Sequence, residues 1–169
     1  MIDGKELKFK VYKQVGAYYS EVFYGYGGTI GGIGCPLIAT ANALSALGFN
    51  MDPGQIWEFM SKPAGAYNVG ITANKLGFNA INDSAGNTYT TTMANSIIKW
   101  IEDGGSIVYH EEEGHGLFYK SGHWMSMTDV NSQGQVWIND GGYNMMNGWY
   151  DLTTVLPNTN QVVFISRPN

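Results

Sequence analysis

The chain has 169 residues, a formal charge of −5, 44% hydrophobic residues and 14% charged ones. Apolar content of this size supports a core without disulfides or a structural metal, and the lone cysteine, Cys35, excludes an internal disulfide and a multi-cysteine zinc site. Acidic balance without a Lys/Arg cluster excludes broad nucleic-acid binding, which needs cations to displace phosphate counterions, and no apolar run reaches the roughly 20 residues of a membrane span.

The opening MIDGKELKFKVYKQ lacks the apolar stretch of a secretory signal. Export, if it occurs, is expected by another route, from a parent polypeptide or by lysis. Tyr18, Tyr19, Phe23, Tyr24 and Tyr26 precede a glycine-rich run, Gly27 to Gly34. Core or loop packing accounts for most of these rings, and rings beside a cleft would suit peptide or sugar stacking. The run lacks the Gly-Lys-Ser/Thr ending of a phosphate loop. From Cys35 to Leu47, apolar residues at Leu37, Ile38, Ala41, Leu44 and Leu47 fall three and four apart, which predicts a helix with one buried face. Pro36 suits its first position and Gly48 its stop, making Cys35 the N-cap. Asp52-Pro53-Gly54-Gln55 predicts a second helix start, with Ile56, Trp57 and Met60 as its apolar face. A short turn near Ile71 to Leu76 ends at Gly77. A helix around Met93 to Glu102, lined by Ile97, Ile98 and Ile101, stops at Gly104-Gly105.

Beyond that point the apolar period drops to two. Ser106 to His110, His123 to Val130, Gln135 to Asn139 and Gln161 to Ser166 read as strands, with 131–134 as a hairpin loop; Tyr143 to Tyr150 is one more, interrupted by Asn147-Gly148. Helices first and antiparallel sheet second predict an α+β fold. Residues 1–169 are read as a single domain, with a helical half at about 35–103 and a sheet half at about 106–166.

Three residues point to chemistry. Cys35 opens the best helix, where the partial positive charge of the helix terminus favours thiolate, the nucleophilic form. Alone it reads more readily as a small apolar group packed under a helix. His123 follows Gly122 at the mouth of a strand, and Asp140 follows Asn139 at the end of the next one. Taken singly they are a strand-edge histidine and a turn former. Across a hairpin turning at 131–134 they become near register partners, so a carboxylate can hold the ring while its other nitrogen faces sulfur. His110, Glu111, Glu112, Glu113 and His115 suggest a metal cluster less well. The histidine spacing does not match the helical four-residue spacing of zinc peptidases, and a solvated acidic loop between strands is the better reading. No metal and no cofactor is expected.

Tyr12-Lys13-Gln14, Gly28-Thr29-Ile30-Gly31, Gly34-Cys35 followed by Leu44-Ser45-Ala46-Leu47-Gly48, Gly122-His123-Trp124 and Asn139-Asp140 occur in an order that resembles the papain-like cysteine peptidases of the bacteriocin-leader-processing, double-glycine type. The bacterial and phage domains related to them are more similar still. The resemblance implies a papain-like fold in which N-terminal helices pack on a C-terminal antiparallel sheet. It further implies that Cys35 attacks, His123 acts as base then acid, Asp140 orients His123, and Gln14 with the Cys35 N–H holds the oxyanion. Gly34, Gly122 and Trp124 would border the substrate. Two positions depart from the family pattern: Pro36-Leu37-Ile38-Ala39 replaces a Gly-Pro-Thr-Ser-like stretch, and Gly141 stands where proline is common. Neither removes a reacting group.

The implied function is amide hydrolysis through a thioester, with peptidoglycan stem or cross-bridge peptides as the first expected substrate, in a phage lytic or cell-wall enzyme. A toxin or effector protease and a leader-processing peptidase are the enzymatic alternatives. An inactive peptidase-like binding module is the non-enzymatic one.

Overall fold

A computed structural model describes residues 9–21, 23–25, 28–60, 68–112, 122–142 and 146–168. Tyr26, Glu113, His115 and the first part of the strand expected from Tyr143 lie outside the described residues.

Six strands form one antiparallel sheet in the order β3-β8-β4-β5-β6-β7: β3 Asn79–Ser84, β4 Ser106–Glu111, β5 His123–Val130, β6 Val136–Asn139, β7 Gly148–Tyr150 and β8 Gln161–Ser166. Strands β1 (Phe23–Gly25) and β2 (Gly28–Thr29) form a separate small ribbon. The helices are α1 Ile30–Ile33, α2 Cys35–Ala46, α3 Pro53–Phe59, α4 Val69–Lys75, α5 Thr91–Glu102 and α6 Leu152–Val155. The fold is α+β, with helices against both faces of the sheet. On one face, α2 and α4 bury Ala39, Ala43, Leu44, Val69 and Ala73 against Val108, Val163 and Ile165. On the other, α5 and α6 bury Ile97, Ile101, Leu152 and Val155 against Ile107, Met125, Ile138 and Phe164. Each buried Val, Leu, Ile, Met or Phe among these contributes about 1.5–3 kcal/mol.

The helix expected to have one buried face is buried all round. Every residue from Leu37 to Ser45 is buried in α2, because Tyr12, Tyr19, Ile30, Ile56 and Trp57 form a further cluster with Leu37 and Ile38 away from the sheet. Its polar residues are satisfied at close range. Thr40 Oγ1 donates to the Pro36 carbonyl at 2.7 Å, and Asn42 and Ser45 bind the backbone of residues 10 and 12. Cys35 is the first residue of α2, with Gly34 rather than Cys35 at the N-cap.

The start of α3 follows the expectation closely: Asp52 Oδ1 accepts from Gln55 N at 2.8 Å and Gln55 Oε1 from Asp52 N at 2.9 Å. The turn expected at Ile71 is a seven-residue helix, α4, capped by Asn68. Strand β3 was not legible. It pairs with β8 over six residues yet exposes most of its side chains, so it shows none of the alternation that marks a half-buried strand.

Candidate active site

The glycine-rich run folds into a tight sequence of β2, α1 and α2. Thr29 caps α1, its Oγ1 accepting from Gly32 N at 3.1 Å. At Gly34, a Cβ would lie 2.6 Å from the Ile30 carbonyl oxygen, so only glycine permits the chain to pass directly from α1 into α2. This turn delivers Cys35, half-buried, to the end of the central helix. The Cys35 N–H is one of the first-turn donors that a helix cannot satisfy internally, while Pro36 brings none.

His123 is the first residue of β5, directly opposite Glu111 of β4. Its Nε2 lies 2.8 Å from Asp140 Oδ1, with the ring almost wholly buried and the carboxylate fully so. The two were expected to be near register partners. Strand β6 pairs Asn139 with Ser126, so continuing one residue sets Asp140 opposite Met125, and His123 is reached on the diagonal. With Nε2 engaged by the carboxylate, Nδ1 is the nitrogen left for sulfur, and Cys35 is near enough to His123 to favour its cation. Burial disfavours the His123 cation. Hydrogen bonds with Asp140 and Cys35, and their negative charge, outweigh it and raise the ring to about 9.

Asp140 is itself held from several sides. Its Oδ1 also accepts from Gly142 N at 2.9 Å and its Oδ2 from Met146 N at 3.0 Å, while its own N–H donates to Asn147 Oδ1 at 2.7 Å. Backbone donors of this kind favour the ionised carboxylate. The Asn147-Gly148 pair, read from sequence only as a break in a strand, turns out to anchor this loop. At Gly141 a Cβ would fall 2.3 Å from Ile38 Cγ2 and 2.9 Å from the Tyr12 carbonyl oxygen, so the chain at Gly141 lies flat against α2.

Gln14 is buried beside this arrangement. Its backbone N–H donates to the Gly141 carbonyl at 2.6 Å, and its Nε2 donates to the Gly31 carbonyl at 3.0 Å. The amide nitrogen carries two hydrogens, so one donor remains beyond the bond to Gly31. His123 thus stands between the Asp140 carboxylate and Cys35, and Gln14 is tied to the carbonyls of Gly31, four residues before Cys35, and of Gly141, next to Asp140. Gly122 has φ +85, a left-handed conformation suited to glycine, and turns the chain into β5. Trp124 alternates to the opposite face of β5 from His123. There it packs, half-buried, on the cluster between sheet and α2, its ring 4.6 Å from that of His110. The acidic segment is not the solvated loop that was expected, at least at its start: Glu111 ends β4 and is fully buried.

The family model described as the Peptidase_C39 like family matches residues 6–161. The chain belongs to this family. Its fold is similar to that of the peptidase domain of Streptococcus ComA, a bifunctional ABC transporter involved in a quorum-sensing pathway, with TM-score 0.56 and 14% identity over 79% of this chain and 91% of that one. A C39-like peptidase from Bacillus anthracis superimposes with TM-score 0.58 and 11% identity, covering 96% of each chain. No curated protein matches the sequence. Fold and family make the molecule a papain-like cysteine peptidase, and no helix among the described residues of this C39-like chain is long and apolar enough to cross a membrane.

Proposed function

We propose that Cys35, His123 and Asp140 are the catalytic chain of this peptidase, with Gln14 and the Cys35 N–H as oxyanion donors, and that its substrates are peptides of peptidoglycan. The observation that carries the catalytic part is the buried His123 ring, bonded through Nε2 to Asp140 at 2.8 Å and close enough to Cys35 for the sulfur to favour its cation. In this mechanism the Cys35 sulfur attacks the substrate carbonyl carbon, and the oxyanion is held by the Cys35 N–H and the second Gln14 Nε2 hydrogen. His123, protonated at neutral pH, gives its Nδ1 proton to the leaving amine as the C–N bond breaks. The resulting thioester is hydrolysed by water, from which His123 takes a proton, and the thiolate leaves.

Support for a wall substrate comes from charge and shape. A net charge of −5 favours peptides bearing free amines, as stem peptides with a diamino acid do. Tyr12, Tyr18 and Tyr19 line a cavity of about 250 Å³ with Lys10, Lys13 and Asp52, on the segment leading to Gln14. Tyr12 and Tyr19 are buried beneath it, and the exposed Tyr18 ring suits stacking against a peptide or its attached sugar.

Incubation of the protein with purified cell walls is expected to release new amines, and Cys35→Ala should abolish that release. If walls stay intact while a protein or a leader peptide is cut, the wall substrate is wrong and the mechanism stands. Gln14→Ala should slow turnover by on the order of a hundredfold with the fold intact. Unchanged turnover would remove Gln14 from the mechanism.

A further inference from the structure

Residues 10–14 run alongside α2 against the direction of the helix, held by side chains of the helix itself. Ser45 Oγ donates to the Lys10 carbonyl at 2.6 Å. Two residues on, Asn42 takes Tyr12 at both ends: its Oδ1 accepts from the Tyr12 N–H at 2.6 Å and its Nδ2 donates to the Tyr12 carbonyl at 3.2 Å. These rungs advance toward the N-terminus of α2, where Gln14 meets Gly31 and Gly141. Asn42 is fully buried and lies seven residues after Cys35, about two turns, on the same face of the helix. The Cβ that Gly141 lacks would lie 2.9 Å from the Tyr12 carbonyl oxygen and 3.5 Å from Asn42 Nδ2. The asparagine amide therefore sits where three stretches of backbone meet: the nucleophile's helix, the segment of Gln14 and the loop of Asp140.

We propose that Asn42 is a positioning residue for the oxyanion site. A side-chain amide offers one acceptor and a donor in the arrangement of a peptide group, so it can pair with both polar groups of Tyr12 as a neighbouring strand would. Only Lys13 separates that fixed point from Gln14. Asn42 sets where the Gln14 amide stands along the helix axis relative to the Cys35 sulfur, without touching substrate. The inference rests on Gln14 being an oxyanion donor. An asparagine that merely satisfied buried backbone groups would support the fold and leave the chemistry unaltered.

Two small reagents separate these roles in the full chain. p-Nitrophenyl acetate acylates the thiol through a tetrahedral oxyanion and expels p-nitrophenolate. Iodoacetamide alkylates the same sulfur by displacement of iodide, with no oxyanion. For Asn42→Ala, acylation should fall by on the order of tenfold while alkylation stays within about twofold of the native rate, as expected for a misplaced donor beside an intact nucleophile. Gln14→Ala should show the same selectivity, and the double variant should acylate no more slowly than Gln14→Ala. Ser45→Ala, which removes the rung farther from the site, should give the same pattern more weakly and carries the test if Asn42→Ala does not fold. The proposal is overturned if acylation and alkylation fall together, if acylation is unaffected, or if the two losses multiply in the double variant. Selective loss in Gln14→Ala with normal acylation in Asn42→Ala would reject the proposal alone. No selective loss in Gln14→Ala would reject the oxyanion assignment and this proposal with it.

Discussion

Asp140 has two separable effects on His123, orientation through Oδ1 and charge. Asp140→Asn keeps an oxygen for the His123 Nε2 proton but replaces Oδ2, which accepts from Met146 N, with a donor. Facing two donors together leaves a buried N–H unsatisfied, which costs about 1–3 kcal/mol of stability. Losing the negative charge should also lower the ring from about 9 toward the ordinary 6.5. His123 is the proposed proton donor to the leaving amine, so the alkaline limb of turnover should move to lower pH by the same shift. A titration of the ring resonances by NMR, run on native protein and variant, checks this directly. A ring still titrating near 9 in the variant would mean that Cys35 alone holds the cation.

Among the elements, α3 shows how a short helix is fixed by a few atoms that also serve its neighbours. Asp52 closes the capping box with Gln55 and accepts the Tyr18 hydroxyl on both carboxylate oxygens at 2.7 Å. Asp52→Ala should cost about 0.5–2 kcal/mol in chemical denaturation. It should also shift the Tyr18 phenol, raised to about 12 by desolvation at its contact with Asp52 and by the hydrogen bond to that carboxylate, part of the way back toward 10 in an ultraviolet titration. This box was legible in Asp52-Pro53-Gly54-Gln55 because capping is local chemistry, and the hairpin joining β5 to β6 was legible for the same reason, which is why His123 and Asp140 could be paired in advance. Strand β3 was hidden because Asn79, Asn82, Asp83 and Ser84 are polar and its pairing partner β8 lies some eighty residues away. In α2, Asn42 and Ser45 lie off the apolar spacing, and the arrival of residues 10–14 on their side makes them interior. Asn147 was missed likewise, since its bond to the Asp140 N–H depends on how the loop closes.

Across the whole molecule, the two described histidines make stability depend on pH in opposite senses. His123 is raised above 6.5 to about 9, so folding gains from its charged form. That gain is fully present below 6.5 and is lost as pH rises through 9. His110 is lowered: burial disfavours its cation more than the hydrogen bond with Asn160 and the nearby Glu112 favour it. Its contribution is present above 6.5 and is lost as pH falls below that value. Both contributions are therefore intact together near pH 6.5, and stability should decline on either side. Urea midpoints measured from pH 5 to 10 should fall on the alkaline side in the native protein, and this alkaline slope should flatten in His123→Ala. In His110→Gln the alkaline slope should persist and the acid side should flatten instead. If the alkaline slope survives His123→Ala, the buried imidazolium is not what links folding to pH in that range.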